Sequence, residues 1–139
     1  MTGKYATNFT LALATAAVLA LASAGASAAN LDKEVRTAAE HAGYAANSDT
    51  LKLVHTHLHH AVNCLVGPNG DGFDADFLDP CKGMGGGAID AATDMKTKKA
   101  LNSALDAATS GIAADSLSAA QKDAKQAASD LKAAMSSSS

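Results

Sequence analysis

A chain of 139 residues with no Trp, two Tyr and three Phe has room for one modest hydrophobic core, which must be built from Ala, Leu, Val and Ile. Small aliphatic side chains let helix axes approach closely, whereas a sandwich or barrel would draw on more β-branched and aromatic residues. Eleven Lys and Arg against fourteen Asp and Glu give a formal charge of −3, which excludes the basic face on which nucleic-acid binders depend.

The first segment, residues 1–28, has the pattern of a secretory signal peptide. Lys4 supplies a positive start, residues 9–21 form an apolar run, and Ala26, Ser27 and Ala28 make the small-x-small site that signal peptidase reads. The apolar run is too short to cross about 30 Å of hydrocarbon as a helix, so no membrane span is expected in the mature form. No cysteine stands at the junction, so a lipid anchor is not expected either. Cleavage after Ala28 predicts a periplasmic or secreted domain over residues 29–135 and a disordered tail at 136–139. Lys4 is the only charged residue lost, which leaves the mature part slightly more acidic and compatible with cationic ligands.

The first helix is expected to start at Asn30, a capping residue followed by Asp32 and Glu34 at the positive end of the helix dipole. Leu31, Val35, Ala38, Ala42 and Ala45 recur at spacings of four and three, a narrow bundle-type stripe, with His41 and Tyr44 beside it. Asn47 and Ser48 mark a break, and Ser48 or Asp49 can cap the second helix.

That second helix, reaching to Val66, carries the unusual chemistry. Leu51, Val54, Leu58, Ala61, Val62 and Leu65 form one broad apolar face, and four of the five histidines lie within six residues. His55 and His59 share one flank. His57, His60 and Cys64 share another, together with Leu53. Imidazole is the commonest ligand for Zn, Cu and Ni, and two rings three or four residues apart on a helix can meet one ion. His55 with His59 and His57 with His60 are therefore two chelating pairs, and His41 on the neighbouring helix or a loop Asp can supply a third ligand. The competing reading gives the histidines to packing and hydrogen bonds beneath the loop that follows.

Gly67 and Pro68 stop this helix, and residues 69–87 are rich in Gly and Asp, as a long irregular loop would be. Cys64 and Cys81 are the only cysteines, and in an oxidising compartment an isolated pair favours a disulfide. The bridge would fold the loop back onto the second helix and bring Phe73, Phe77 and Leu78 within reach of Leu53 and His57. A calcium loop counted from Asn69 fails, because Asp74 stands where glycine is required and no Glu stands at the twelfth position. Asp71, Asp74, Asp76 and Asp79 are read chiefly as solvating residues.

A third helix is expected from Asp90 or Thr93 to about Ser110, with Met95, Leu101, Ala104, Leu105, Ala108 and Ile112 on its apolar side and Gly111 at its end. A fourth, from Asp115 or Ser116, repeats Leu117, Ala120, Ala124, Ala127, Leu131 and Ala134. Together these elements predict an all-α fold, an antiparallel four-helix up-and-down bundle with a long disulfide-pinned loop between helices 2 and 3.

No nucleophile motif, HExxH or phosphate-binding glycine loop is present, so an enzyme is not expected. The functional expectation is a bundle that binds a Cu, Zn or Ni ion for buffering or delivery. The alternative is an interaction domain whose pinned loop recognises a periplasmic protein partner. Haem is the weaker reading: CxxCH is absent, His41, His55 or His59 would have to pair with Met84 or Met95, and the last helix offers only Met135.

Overall fold

The computed structural model describes residues 19–137, with the side chains of residue 28 and of residues 30–137. It is all-helical: α1 (Leu19–Ala46), α2 (Leu51–Val66), α3 (Ala88–Ala91), α4 (Met95–Ala113) and α5 (Leu117–Ser137), with no strand among the described residues. None of the described helices is long and apolar enough to cross a membrane. Most of the expected signal peptide, residues 1–18, and residues 138 and 139 of the expected tail lie outside the described residues.

The helix α1 starts well before Asn30. Residues 19–29 are almost entirely Ala, Leu, Ser and Gly, and the high helix propensity of Ala and Leu carries the helix through the capping Asn without a break. Its predicted stripe is correct, with Val35, Ala38, Ala42 and Ala45 buried. At the other end of the chain, α5 continues to Ser137, two residues into the stretch expected to be a tail.

The helix α2 is capped one or two residues later than expected. The hydroxyl of Thr50 accepts the Leu53 N–H at 3.3 Å. Its expected core face is buried at Val54, Leu58, Ala61, Val62 and Leu65. Gly67 ends it with φ +67°, its N–H donating to the Asn63 carbonyl at 2.9 Å. A Cβ there would collide with the Gly86 carbonyl, so Gly67 is needed both for its backbone angle and for its close neighbour.

The segment between α2 and α3 is a chain of tight turns. Backbone bonds run from Gly70 N to Gly67 O, from Phe73 N to Gly70 O, from Phe77 N to Asp74 O and from Met84 N to Cys81 O. Two of its acids build these turns: Asp74 Oδ1 accepts the Asp76 N–H at 3.0 Å, and Asp79 Oδ1 accepts the Cys81 N–H at 2.9 Å. The Cys64–Cys81 disulfide is present and ties the segment to α2, with Cα atoms 5.2 Å apart. Asn63, fully buried, is the second tie. Its amide donates to the carbonyls of Asp74 (3.0 Å) and Leu78 (3.3 Å), and its Oδ1 accepts the Asp74 N–H (2.9 Å).

The one-turn helix α3 makes five helices where four were expected, because Asp90 lies inside it and the following helix takes its own cap. Asp94 Oδ1 accepts the Thr97 N–H at 2.8 Å, which starts α4 at Met95. Leu101, Ala104 and Ala108 are buried as expected, but Met95 is 81% exposed because the first residue of the helix lies outside the packed region. Gly111 does not end α4. It lies buried inside the helix, where a Cβ would come 2.6 Å from Leu58 Cδ1, so the glycine permits close approach of α2 and α4. In α5, Ala120, Ala124, Ala127, Leu131 and Ala134 are all buried.

The four longer helices pack in sequence: α1 on α2, α2 on α4, α4 on α5 and α5 on α1. The α1–α2 turn and the start of α5 meet where Gln121 Nε2 donates to the Ser48 carbonyl at 3.0 Å. With Ala supplying most of the buried positions, helix backbones approach closely and the core gains contact area from many small residues.

Candidate metal centre

The residues that converge are His41 from α1 and His57 and His60 from α2. His57 and His60 are three apart, so both project from one side of α2, and that side faces α1. His41 reaches across from the neighbouring helix. Its Nδ1 lies 3.3 Å from His57 Nδ1 and 3.3 Å from His60 Nδ1. One ligand atom from each of the three falls within 4.8 Å of the other two. Three His residues therefore lie close enough to hold a metal ion.

Tyr44, one turn beyond His41, walls this group. Its ring stands edge-on to His41 at a centroid distance of 5.6 Å and tilts against His57 at 5.5 Å, while 55% of the residue is exposed. The His41 and His60 rings are perpendicular, with centroids 4.9 Å apart.

Burial, with smaller contributions from His60 and His57, lowers the His41 pKa to about 4. His60 is also lowered, again chiefly by burial and then by His57 and His59. His41 is thus neutral at physiological pH, and a neutral imidazole carries one N–H. Its Nδ1 then holds either a proton or a lone pair while facing two other Nδ1 atoms. One hydrogen bond can satisfy one of these contacts and leaves the other poorly matched. A cation accepting a lone pair from each of the three ring nitrogens resolves the mismatch.

Comparison with protein-family models, curated proteins and solved structures finds no match to this chain. Its chemistry has to be read from the side chains.

His55 and His59 do not join the group. His55 Nε2 lies 3.1 Å from the Ala114 carbonyl, against the turn between α4 and α5. His59 stacks flat on Phe77, with centroids 3.8 Å apart and planes 2° from parallel, and its Nδ1 lies 3.3 Å from Asp74 Oδ2. Burial lowers the His59 pKa, partly opposed by Asp74. The loop therefore covers the His59 flank of α2, whereas Phe77 had been expected over Leu53 and His57. Leu53 stays 47% exposed. The cause is Asn63, one turn after His59, which holds Asp74 and Leu78 on that flank. The His57 flank is covered by α1.

Three buried polar residues among the described ones, Asn63, Glu34 and Thr97, were missed by sequence reasoning. Asn63 sits inside the apolar run AVNCLV, which was itself a signal of burial. Glu34 falls three residues after Leu31 and four before Ala38, on the core stripe, and is only 1% exposed. Its Oε1 accepts the Gly87 N–H at 3.2 Å, while Oε2 accepts no hydrogen bond from any described residue. Burial raises its pKa, opposed by the Gly87 hydrogen bond and aided by Asp79.

Proposed function

We propose that this protein binds one transition-metal ion, Cu, Zn or Ni, through His41, His57 and His60, to buffer or deliver it rather than to catalyse a reaction. The observation that carries the reading is the pair of 3.3 Å Nδ1–Nδ1 contacts at His41, which a shared cation satisfies together and a single neutral ring nitrogen matches with only one hydrogen bond. His55 and His59 then serve to seat the α4–α5 turn and the loop.

The proposal includes the compartment and the architecture. Residues 1–28 act as a signal peptide, the mature chain is periplasmic or secreted, and residues 29–135 form an up-and-down four-helix bundle. The intramolecular disulfide is compatible with an oxidising compartment. The stepwise packing of α1, α2, α4 and α5 supports the bundle.

Titration calorimetry of the purified chain with Zn, Cu and Ni salts tests the function. One ion per chain, with affinity lost in the combined His41→Ala, His57→Ala and His60→Ala variant, is expected. Affinity no tighter than millimolar, or equal in the variant, would discard it.

The second reading is a protein-interaction domain with the loop as its recognition surface. It is favoured by Leu78, 66% exposed beside a groove lined by Pro68, Phe73 and Phe77. The haem reading loses support from its own ligands: His41 faces two histidines, His55 and His59 are engaged, and Met95 is exposed.

A further inference from the structure

The geometry points to a tetrahedral zinc(II) centre in which His41, His57 and His60 donate through Nδ1 and the fourth vertex takes an exchangeable monodentate ligand, water by default. This rests on the metal-binding reading above and adds the identity of the ion, its coordination and its open position.

Zinc binds imidazole nitrogen at about 2.0–2.1 Å, so two nitrogens on a tetrahedral zinc stand about 3.3–3.4 Å apart. Adjacent nitrogens in a square plane at the same bond length stand about 2.9 Å apart. Both contacts of His41 Nδ1 are 3.3 Å, the tetrahedral edge, and the ligand atoms of His57 and His60 lie within 4.8 Å of each other. The two edges at His41 therefore suit zinc better than Cu(II) or Ni(II), which favour tetragonal nitrogen and oxygen sites. The ring planes differ, by 89° between His41 and His60, 83° between His57 and His60 and 35° between His41 and His57. Cu(I) is selected by thiolate or thioether sulfur, whereas all three donors here are ring nitrogens and both cysteines are in the disulfide.

The open vertex follows from what else is near. No Asp, Glu or Cys among the described residues joins the three histidines. Asp74, the loop acid that contacts α2, lies 3.3 Å from His59 Nδ1 on the other flank. His41 and His57 are only partly buried, so solvent reaches the group from their side. Structural zinc sites close all four positions with protein ligands, while three histidines and one labile ligand leave the ion able to exchange. Such a vertex is where an accepting donor would first attach, which suits delivery.

Cobalt(II), a spectroscopic substitute for zinc, tests this on the full chain. The expected result is one Co(II) per chain with the intense visible bands of a four-coordinate ion, displaced by one equivalent of Zn(II) and shifted on adding azide. Weak bands of a six-coordinate ion, or bands that azide does not move, would each overturn the inference while leaving metal binding intact. If calorimetry shows neither Zn(II) nor Co(II) binding, both the inference and the proposed function fall. Circular dichroism of the triple histidine variant separates loss of ligation from loss of fold.

Discussion

His41 Nδ1 on α1 and His57 Nδ1 on α2 lie 3.3 Å apart, joining two helices through a contact between ring nitrogens. The five histidines should therefore divide into two classes on substitution. His41→Ala, His57→Ala or His60→Ala should each weaken zinc binding by more than about 100-fold, because a ligand is lost. His55→Ala and His59→Ala should leave affinity within about threefold, since those rings contact Ala114, Phe77 and Asp74 instead. Calorimetric titration of the five single variants checks the division.

Metal should also stabilise the fold. At free zinc about 100 times the dissociation constant, a site present only in the folded chain adds about 2.7 kcal/mol. For a domain of this size that raises Tm by about 10 °C. Thermal scans with zinc, then with excess EDTA, should show the gain and its reversal, and the triple histidine variant should show neither.

The acid response of the metal-free protein has a definite sign. His41 titrates near 4 in the fold but near its ordinary 6.5 when unfolded, so between these values the unfolded chain binds more protons. Stability should fall as pH drops from about 6.5 towards 4, and His41 should contribute no slope above that window. His60, lowered for the same reason, adds in the same direction. Denaturant midpoints across this range should be flatter in His41→Ala.

Glu34 acts in the opposite sense. Its folded pKa lies above the unfolded value of 4.5, so its buried charge costs stability as pH rises from there through the folded value. Glu34→Gln keeps an acceptor for the Gly87 N–H and removes that charge. The variant should melt higher than the parent at pH 8 and gain little at pH 4. An equal or lower Tm at pH 8 would contradict this account.

The loop and the metal group should separate experimentally. Replacing both Cys64 and Cys81 by Ser opens a loop with a sequence separation of 17 and should cost about 3 kcal/mol. Asn63→Ala, which strands the Asp74 N–H, should cost about 2–3 kcal/mol. Asn63→Ala leaves the α1–α2 seam untouched, so zinc affinity measured on that folded variant should stay near that of the parent, whereas Cys64 shares the flank of His57 and His60 and Cys81 Sγ lies 3.8 Å from the Glu34 carbonyl of α1.

Much of the helical frame was legible in one dimension. Val35, Ala38, Ala42 and Ala45, the Val54 to Leu65 face of α2, and the alanine repeat of α5 follow a helical period, and burial obeyed that period. The disulfide followed from there being only two cysteines. Helix ends were less legible, because competing caps such as Ser48, Asp49 and Thr50 differ little in energy and packing chooses between them. Gly111 looked like a terminator and proved to be a contact with Leu58, since a glycine serves either purpose and only the partner helix distinguishes them.

The histidine group shows the same division. Spacing along α2 determined that His57 and His60 share a side and that His55 and His59 share another, because side-chain direction repeats every 3.6 residues. Which side would meet a third ring was decided by tertiary structure alone. The rotation of α1 about its axis brings His41 to the His57 flank, and the grip of Asn63 on Asp74 and Leu78 commits the loop to the His59 flank. A helical repeat fixes angles within one helix, but the angle between two helices is set by how their buried faces pack, and a metal centre shared between helices depends on that packing.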